Sequence, residues 1–595
     1  MIYARQTPRD FTIMQDITRY SLPILTVLLL TLFFLSLPDL RSCALTDPDK
    51  TRHRLGRADA VIMAVIMMLY ALVAFWKLGN TESPESFVNM ENRTESIELD
   101  INGGTVTHLM VYEGVGIGSY SITYSDGSAT YDIAELTQSH ADVLKWHDVA
   151  IDYYLTGGTI YISGTGNVWL GEVVALDVDG NVIGAVSSAP ELCDEQSLCP
   201  DRQTYMNSTY FDEIYHARTA WEHLNGVYPY EITHPPLGKI IISIGIALFG
   251  MTPFGWRFSG TFFGVLMLPV IYIFAKRLFG GKAVPAACTL VLASDFMHFV
   301  QTRIATIDTY AVFFILLMYL FMYGFITTGS RRELALSGIF FGIGAASKWT
   351  CIYAGAGLAV IWFIYVIRET RAQRLDMKGF WKLCGFCVIF FVLIPCLIYY
   401  FAYIPYGTAR GISPFSAEYL RMVLDNQSYM FNYHSGIVAE HPYSSRWYQW
   451  VLDIRPILYY LEYFNDGTHS SFGAFLNPAL CWGGLLSLFV LIYTAIFRRD
   501  RCAGFILLGY LAQLIPWLFV TRITFEYHYF PCSVFLVLSL GYCFNLMRHN
   551  LKHWKWYVSG FVTLSIALFV MFYPALSGKP VAATGLLSWL PTWPF

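Results

Sequence analysis

Charged residues are scarce in this sequence: Asp, Glu, Lys and Arg make up 14% of its 595 residues, where soluble domains carry about a quarter. A chain so poor in charge does not keep an aqueous surface along its whole length. It also lacks any block of like charge, and its formal net charge is only −4, which leaves no basic arm for nucleic acid. Cysteine is sparse outside apolar runs. Most of the 12 cysteines lie within such runs, where a small, weakly polar side chain packs well. Cys384 and Cys387 form a C-x-x-C inside one of them, a poor setting for a metal or redox pair. No small-residue cleavage pattern follows the first apolar run, although Arg5, Arg9 and Arg19 precede it, so it reads as a retained helix rather than a signal peptide.

What the sequence has is apolar length. Hydrophobic residues make up 55% and aromatics 17%, and runs long enough to cross a hydrocarbon core of about 30 Å recur throughout. The expected spans are 20–37, 58–77, 257–275, 283–300, 309–327, 333–347, 350–367, 380–403, 475–497, 502–520, 530–547 and 556–573. The fold class is therefore a polytopic α-helical membrane protein of about 12 spans. Lys and Arg collect in alternate loops: Arg41, Lys50, Arg52, Arg54 and Arg57; Lys276, Arg277 and Lys282; Arg331 and Arg332; Arg368, Arg371, Arg374 and Lys378; Arg498, Arg499 and Arg501; Arg548, Lys552 and Lys555. Those loops are expected on the cytoplasmic side. The long polar segments 78–256 and 404–474 then face outward, and the chemistry is expected there.

Between about Pro84 and Arg202 the membrane pattern gives way to short alternating runs: Ser96–Ile101, His108–Tyr112, Tyr120–Tyr124, Thr130–Leu136, Asp148–Leu155, Thr159–Ile162 and Val168–Asp177. Turns with Gly and Asp separate them, which predicts an inserted β-sandwich outside the membrane. Tyr120–Gly127, Trp146 and Gly171–Gly180 give it a faint likeness to a jelly roll. It is expected to serve either as a binding module or as a cover. Asp177 and Asp179 form a D-x-D that suits a turn better than a metal site. Cys193 and Cys199 lie close together in this outward segment, and an oxidising compartment would let them form a disulfide.

Polar residues gather after the sandwich. Tyr210-Phe211-Asp212-Glu213 precedes an interfacial helix carrying His216, Trp221 and His223, followed by His234-Pro235-Pro236-Leu237-Gly238-Lys239. Adjacent carboxylates point to different sides of a helix, so Asp212 and Glu213 divide their tasks. A carboxylate in a partly desolvated pocket suits a general base, and Asp212 is the candidate. The bland alternative is acid placed at a helix N-terminus for its dipole. Gly238 admits close backbone approach, and Lys239 brings a cation to the same stretch. Arg257, Arg303, Asp308, Lys348 and Arg522 fall near outward ends of spans, where charge is costly unless paired or functional. Converging cations suit a leaving phosphate and require no metal. The second outward segment adds Tyr433-His434, Glu440, His441, Tyr443, Trp447, Trp450 and Arg455, residues that suit sugar contact but also serve interface belts.

In combination, these motifs resemble the protein O-mannosyltransferase family. The matching pieces are Phe211-Asp212-Glu213, His234–Lys239, Trp256-Arg257-Phe258, Arg303–Asp308, Ser347-Lys348-Trp349, Tyr433-His434, His441–Ser445 and Pro516–Phe530, in family order. The resemblance implies the C-type glycosyltransferase (GT-C) membrane fold, a polyprenyl phosphate mannose donor, and an Asp that deprotonates a Ser or Thr hydroxyl with inversion at the sugar. Carried over, Asp212 is the base beside Glu213. Arg257, Lys348, Arg522, Lys239 and Arg303 are assigned to donor phosphate. His234, Asp308, Trp349, His434, His441, Tyr443 and His528 are assigned to the substrate pocket. Two departures from the family pattern stand out: the β domain interrupts the first outward loop, and the second is short, as in bacterial members. An extra N-terminal span also precedes the usual first helix.

The expected organisation is thus 1–57, an extra span and cytoplasmic loop; 58–83, the first family-type helix; 84–205, the sandwich; 206–403, the catalytic membrane region; 404–474, an outward loop; and 475–595, the C-terminal spans. The expected function is transfer of mannose or another hexose from a polyprenyl phosphate to exported protein, in a multi-pass plasma-membrane enzyme of bacterial type. A lipid, cell-wall polymer or glycan acceptor is the alternative. A transporter with a solute-binding β domain fits less well, because the charges sit at outward helix ends and the His234–Lys239 motif has no repeat. No cofactor beyond the lipid-linked donor is implied, and the sequence leaves monomer and dimer open.

Overall fold

The computed structural model describes residues 9–45, 53–582 and 585–595. Arg5, Lys50 and Arg52, among the basic residues used for orientation, lie outside them. The chain groups into two compact units, one formed by 1–76, 232–238 and 260–595, the other by 77–231 and 239–259.

The first unit is helical, and each of the twelve expected spans falls on helix. Nine helices of the described residues are long and apolar enough to cross a membrane: Arg57–Phe75, Pro253–Phe279, Asp308–Thr328, Thr350–Arg371, Met377–Ala409, Pro478–Phe497, Arg501–Leu518, Glu526–Asn550 and Trp554–Ser577. A tenth is bent by 59° between Ala283–Ala293 and Phe296–Thr302. Asp295 makes that break: its carboxylate caps the second half through the His298 amide (3.1 Å) and accepts the Asn477 amide (3.0 Å). The other two fall short of the expected dozen. Tyr20–Leu35 is a shorter apolar stretch within the helix Arg9–Leu35. Arg331–Ser347 has 17 residues and opens on charge. Its glycines permit tight packing, since a Cβ on Gly342 would come within 2.8 Å of Pro395.

Ion pairs fasten these helices internally. Asp59, the third residue of Arg57–Phe75, is buried and accepts Lys276 Nζ at 2.9 Å and the Tyr272 hydroxyl at 2.8 Å. In the second outward segment a helix, Ala417–Gly436, is followed by a hairpin of Ile457–Tyr463 and Thr468–Ala474, with Val581–Ala582 as a third strand.

The second unit contains the sandwich. Its strands are β1 (Val88–Asn89), β2 (Ile97–Ile101), β3 (Thr105–Glu113), β4 (Ile117–Ser125), β5 (Thr130–Gln138), β6 (Lys145–Thr156), β7 (Thr159–Asn167), β8 (Trp169–Leu176), β9 (Val182–Ile183) and β10 (Ala185–Ser187). All seven expected strands are present. One antiparallel sheet runs β1-β8-β3-β6 with β9 on β8, the other β10-β2-β7-β4-β5. Strict alternation drives their packing: Ile97, Leu99 and Ile101 are buried while Glu98 and Asp100 face water, and they meet Val106, Leu109 and Val111 of β3 and Leu170, Val173 and Ala175 of β8 in one core. The D-x-D is a turn: the Asp177 carboxylate accepts the amides of Asp179 (2.9 Å) and Asn181 (2.8 Å).

Two expectations need correction here. Cys193 and Cys199 are free thiols. Separate 3-10 turns, Pro190–Leu192 and Gln196–Leu198, precede them, and the Cys193 thiol packs toward the Val173 carbonyl while Cys199 meets that of Pro200. Burial pushes both thiols up to about 11. The stretch 78–256, read as polar, also contains an apolar helix, Leu237–Phe249, whose 13 residues are too few for a span.

The buried pair Asp59–Lys276 yields a stability test. Lys276→Met leaves the carboxylate uncompensated and should cost about 3–5 kcal/mol, read as a lower melting temperature in detergent, and adding Asp59→Asn should recover part of the loss.

Candidate active site

In the second unit, the segment carrying the candidate base is held from several sides. The Thr209 amide donates to the Leu144 carbonyl (3.2 Å), its hydroxyl to that of Val143 (2.5 Å), and the Trp146 amide to the Ser208 hydroxyl (3.3 Å). The Asn80 amide donates to the Met206 carbonyl (2.7 Å). Gly79 is required beside it, because a Cβ there would lie 2.6 Å from that of Pro253. The chain then turns sharply through Phe211, whose φ of +48° is left-handed, a conformation that costs a non-glycine residue about 1–3 kcal/mol. The helix Glu213–Leu224 starts immediately afterwards, with Asp212 capping it through its carbonyl, which accepts the amides of Tyr215 and His216 at 3.1 Å.

The two adjacent acids have different surroundings. Glu213 is fully buried and grips Arg257 with both oxygens, Nε to Oε1 and Nη2 to Oε2, each at 2.7 Å. Arg257 also donates to the carbonyls of Leu78 (2.9 Å), Tyr205 (2.7 Å) and Ser208 (3.1 Å). All five guanidinium N–H groups are therefore occupied. That corrects its assignment to donor phosphate, since the side chain has no donor left and is 1% exposed. It also moves Glu213 from chemistry to support. Asp212, by contrast, is half-buried.

Lys239 is fully buried and donates to the Glu231 carbonyl (2.8 Å) and carboxylate. His216 Nδ1 lies 4.0 Å from the same carboxylate. Glu231 was missed in the sequence, although its position eight residues before Lys239 was visible. The Arg218–Glu222 pair (2.8 Å) was missed as well; Glu222 also accepts the Tyr230 amide at 2.6 Å.

In the first unit, Lys348 pairs with Asp308 at 2.7 Å and lies 5.6 Å from the centre of the Tyr527 ring. His234 and His434 meet edge to face at 5.0 Å, with Trp349 6.5 Å from His434. Trp349 Nε1 donates to the Tyr399 hydroxyl (3.0 Å), which donates to Gln427 (2.7 Å). His434 Nε2 is 2.8 Å from the Thr233 carbonyl. A carbonyl only accepts, so that contact places the imidazole proton on Nε2 and leaves the Nδ1 lone pair without a partner. Burial first, then His234, Arg522 and Lys348, push His434 down to about 4, so it is neutral at physiological pH.

The remaining candidates are placed around them. Arg522 is half-buried, with Nη1 on the Ile523 carbonyl (3.2 Å). His528 is buried between Trp517 (4.4 Å) and Trp450 (5.9 Å) and bonds the Phe525 carbonyl. His441 packs on Phe525 at 5.1 Å and near Tyr443 at 6.0 Å. Arg303 donates to the Trp76 carbonyl (2.9 Å) and lies over Phe299.

The helical membrane core defines the class: a polytopic membrane protein of the C-type glycosyltransferase (GT-C) fold. The solved S. cerevisiae protein O-mannosyltransferase Pmt1-Pmt2 complex, bound to the sugar donor, superposes with a TM-score of 0.58 at 13% identity, covering 65% of this chain and 89% of that one. Residues 233–399 match the dolichyl-phosphate-mannose-protein mannosyltransferase profile, and 419–593 match the C-terminal four-transmembrane region of protein O-mannosyltransferase. The polyprenol-phosphate-mannose–protein mannosyltransferase of Mycolicibacterium smegmatis is 27% identical over 453 residues, 64% of this chain and 87% of the relative. That of Mycobacterium tuberculosis is 26% identical over 461 residues, 64% and 86%. The chain belongs to the protein O-mannosyltransferase family.

Arg257→Lys replaces a saturated fork with a point charge and should destabilise the protein by about 3–5 kcal/mol. Its melting temperature should fall well below that of wild type, and Glu213→Gln should lower it in the same direction.

Proposed function

We propose that this chain moves mannose, with inversion, from a polyprenyl phosphate carrier to Ser or Thr hydroxyls of exported polypeptides. Family membership and the activity named for the mycobacterial relatives support the donor and the acceptor. Asp212 takes the proton of the acceptor hydroxyl, whose oxygen attacks the anomeric carbon as the bond to phosphate breaks. The carrier phosphate leaves with the electron pair, and Lys348 and Arg522 meet its growing charge without a metal. Arg257, Lys239 and Arg303 hold the scaffold instead. His234, Asp308, Trp349, His441, Tyr443 and His528 shape the pocket around the sugar.

The observation that carries this reading is geometric: Lys348 stands at 2.7 Å from Asp308, and His434, edge to face with His234 at 5.0 Å, is held by the Thr233 carbonyl with its Nδ1 lone pair unpartnered. The unpartnered His434 Nδ1 accepts a sugar hydroxyl, while the two permanent cations hold phosphate. Alternation of Lys and Arg among the loops supports a reaction on the extracytoplasmic side, where the sandwich, 84–205, forms a module of its own.

Purified protein given polyprenyl phosphate mannose should mannosylate a Ser/Thr-rich peptide and not its Ala-substituted counterpart. Donor consumption without labelled peptide would contradict the acceptor assignment and point to a lipid or glycan. Arg522→Ala should weaken donor binding by about 10-fold to 100-fold, the worth of one charged hydrogen bond. Donor affinity should stay level from about pH 8 to about pH 5.5 and fall only as His434 protonates near 4; a break near the usual histidine value of about 6.5 would contradict its role.

A further inference from the structure

The place where the sandwich's incoming and outgoing segments meet β8 carries oxygen without a countercharge. Glu172 of β8, Asp194 and Glu195 each offer a carboxylate oxygen, all within 4.8 Å of one another. Glu172 is 0% exposed, and its Oε1 has no hydrogen-bond partner. Its Oε2 accepts the Glu195 amide at 3.1 Å. Glu195 Oε2 accepts the amides of Glu85 (2.8 Å) and Ser86 (3.3 Å). The Ser86 hydroxyl lies 2.9 Å from Asp194, 3.2 Å from Glu195 and 3.2 Å from the Glu191 carbonyl, yet it has one hydrogen to give. Acceptors therefore outnumber donors around a wholly buried carboxylate oxygen.

We propose that Glu172, Asp194 and Glu195, with the Ser86 hydroxyl and the Glu191 carbonyl beside them, bind a divalent cation of the calcium type. Only hard oxygen ligands are offered, and calcium accepts six to eight of them in irregular geometry, whereas magnesium demands a near-ideal octahedron. A bound cation supplies the missing countercharge to the unpartnered Glu172 oxygen. It also clips residues 85–86, before β1, to 191–195, after β10, and so closes the two ends of the sandwich onto β8.

The full-length protein in detergent tests this after chelation, by equilibrium binding of calcium and by melting with and without it. Wild type should bind calcium saturably, melt higher when it is bound, and respond far less to magnesium. Glu172→Gln should lose at least the roughly 10-fold that a weaker, outer contact to a metal is worth. In chelator the same variant should be as stable as wild type or more so, because a neutral amide replaces a buried acid. Should Glu172→Gln fail to fold, Asp194→Asn, an exposed change, should still weaken calcium binding. Absence of saturable calcium binding to wild type, or equal binding by wild type and Asp194→Asn, would overturn the proposal.

Discussion

A single guanidinium holds the candidate catalytic segment. Arg257 has five N–H donors, and five acceptors receive them: two oxygens of Glu213 and the carbonyls of Leu78, Tyr205 and Ser208. Two stretches distant in sequence, Leu78 and the segment 205–213, are thereby tied to the helix that begins at Pro253. A buried charge that shed one of these partners would be expensive to keep, so the segment has little freedom to drift. That rigidity is what allows Phe211 to remain left-handed and Asp212 to sit half-buried at a helix start. Of the two adjacent acids, Glu213 is the anchor that holds Arg257, and Asp212 stands outside that fork.

The helical unit solves a different problem. A phosphate needs positive charge, but cations at a membrane surface are costly unless balanced. Asp308 balances Lys348, and burial keeps His434 neutral, so it adds no further full charge. The Thr233 carbonyl decides which imidazole nitrogen carries the proton.

Much of this was legible in the sequence because it depends on local periodicity. The seven strands could be read from alternation such as Ile97, Leu99 and Ile101, and the twelve helical windows from apolar length. The motifs that resemble the family named the family to which the chain belongs. Pairing was not legible. Glu213 and Arg257 are 44 residues apart, and nothing local distinguishes a saturated arginine from a ligand-binding one. Glu231 carries no local signal that it accepts the buried Lys239 eight residues on. Cys193 and Cys199 were close in sequence, but intervening 3-10 turns gave each thiol its own surroundings. Leu237–Phe249 escaped because 13 apolar residues fall below the length that signals a span. The convergence of acid on Glu172 was invisible for the same reason as the Arg257 fork, since it joins residues from both ends of the sandwich.

The central claim is that Asp212 does the chemistry and Glu213 holds the frame. The most direct test is the single-turnover rate of sugar transfer from pre-bound donor, measured for Asp212→Asn and Glu213→Gln at a temperature where both are folded. Asp212→Asn should keep its donor and its melting temperature and transfer nothing, whereas the folded fraction of Glu213→Gln should still transfer. A folded Glu213→Gln without activity, or an active Asp212→Asn, would contradict the account.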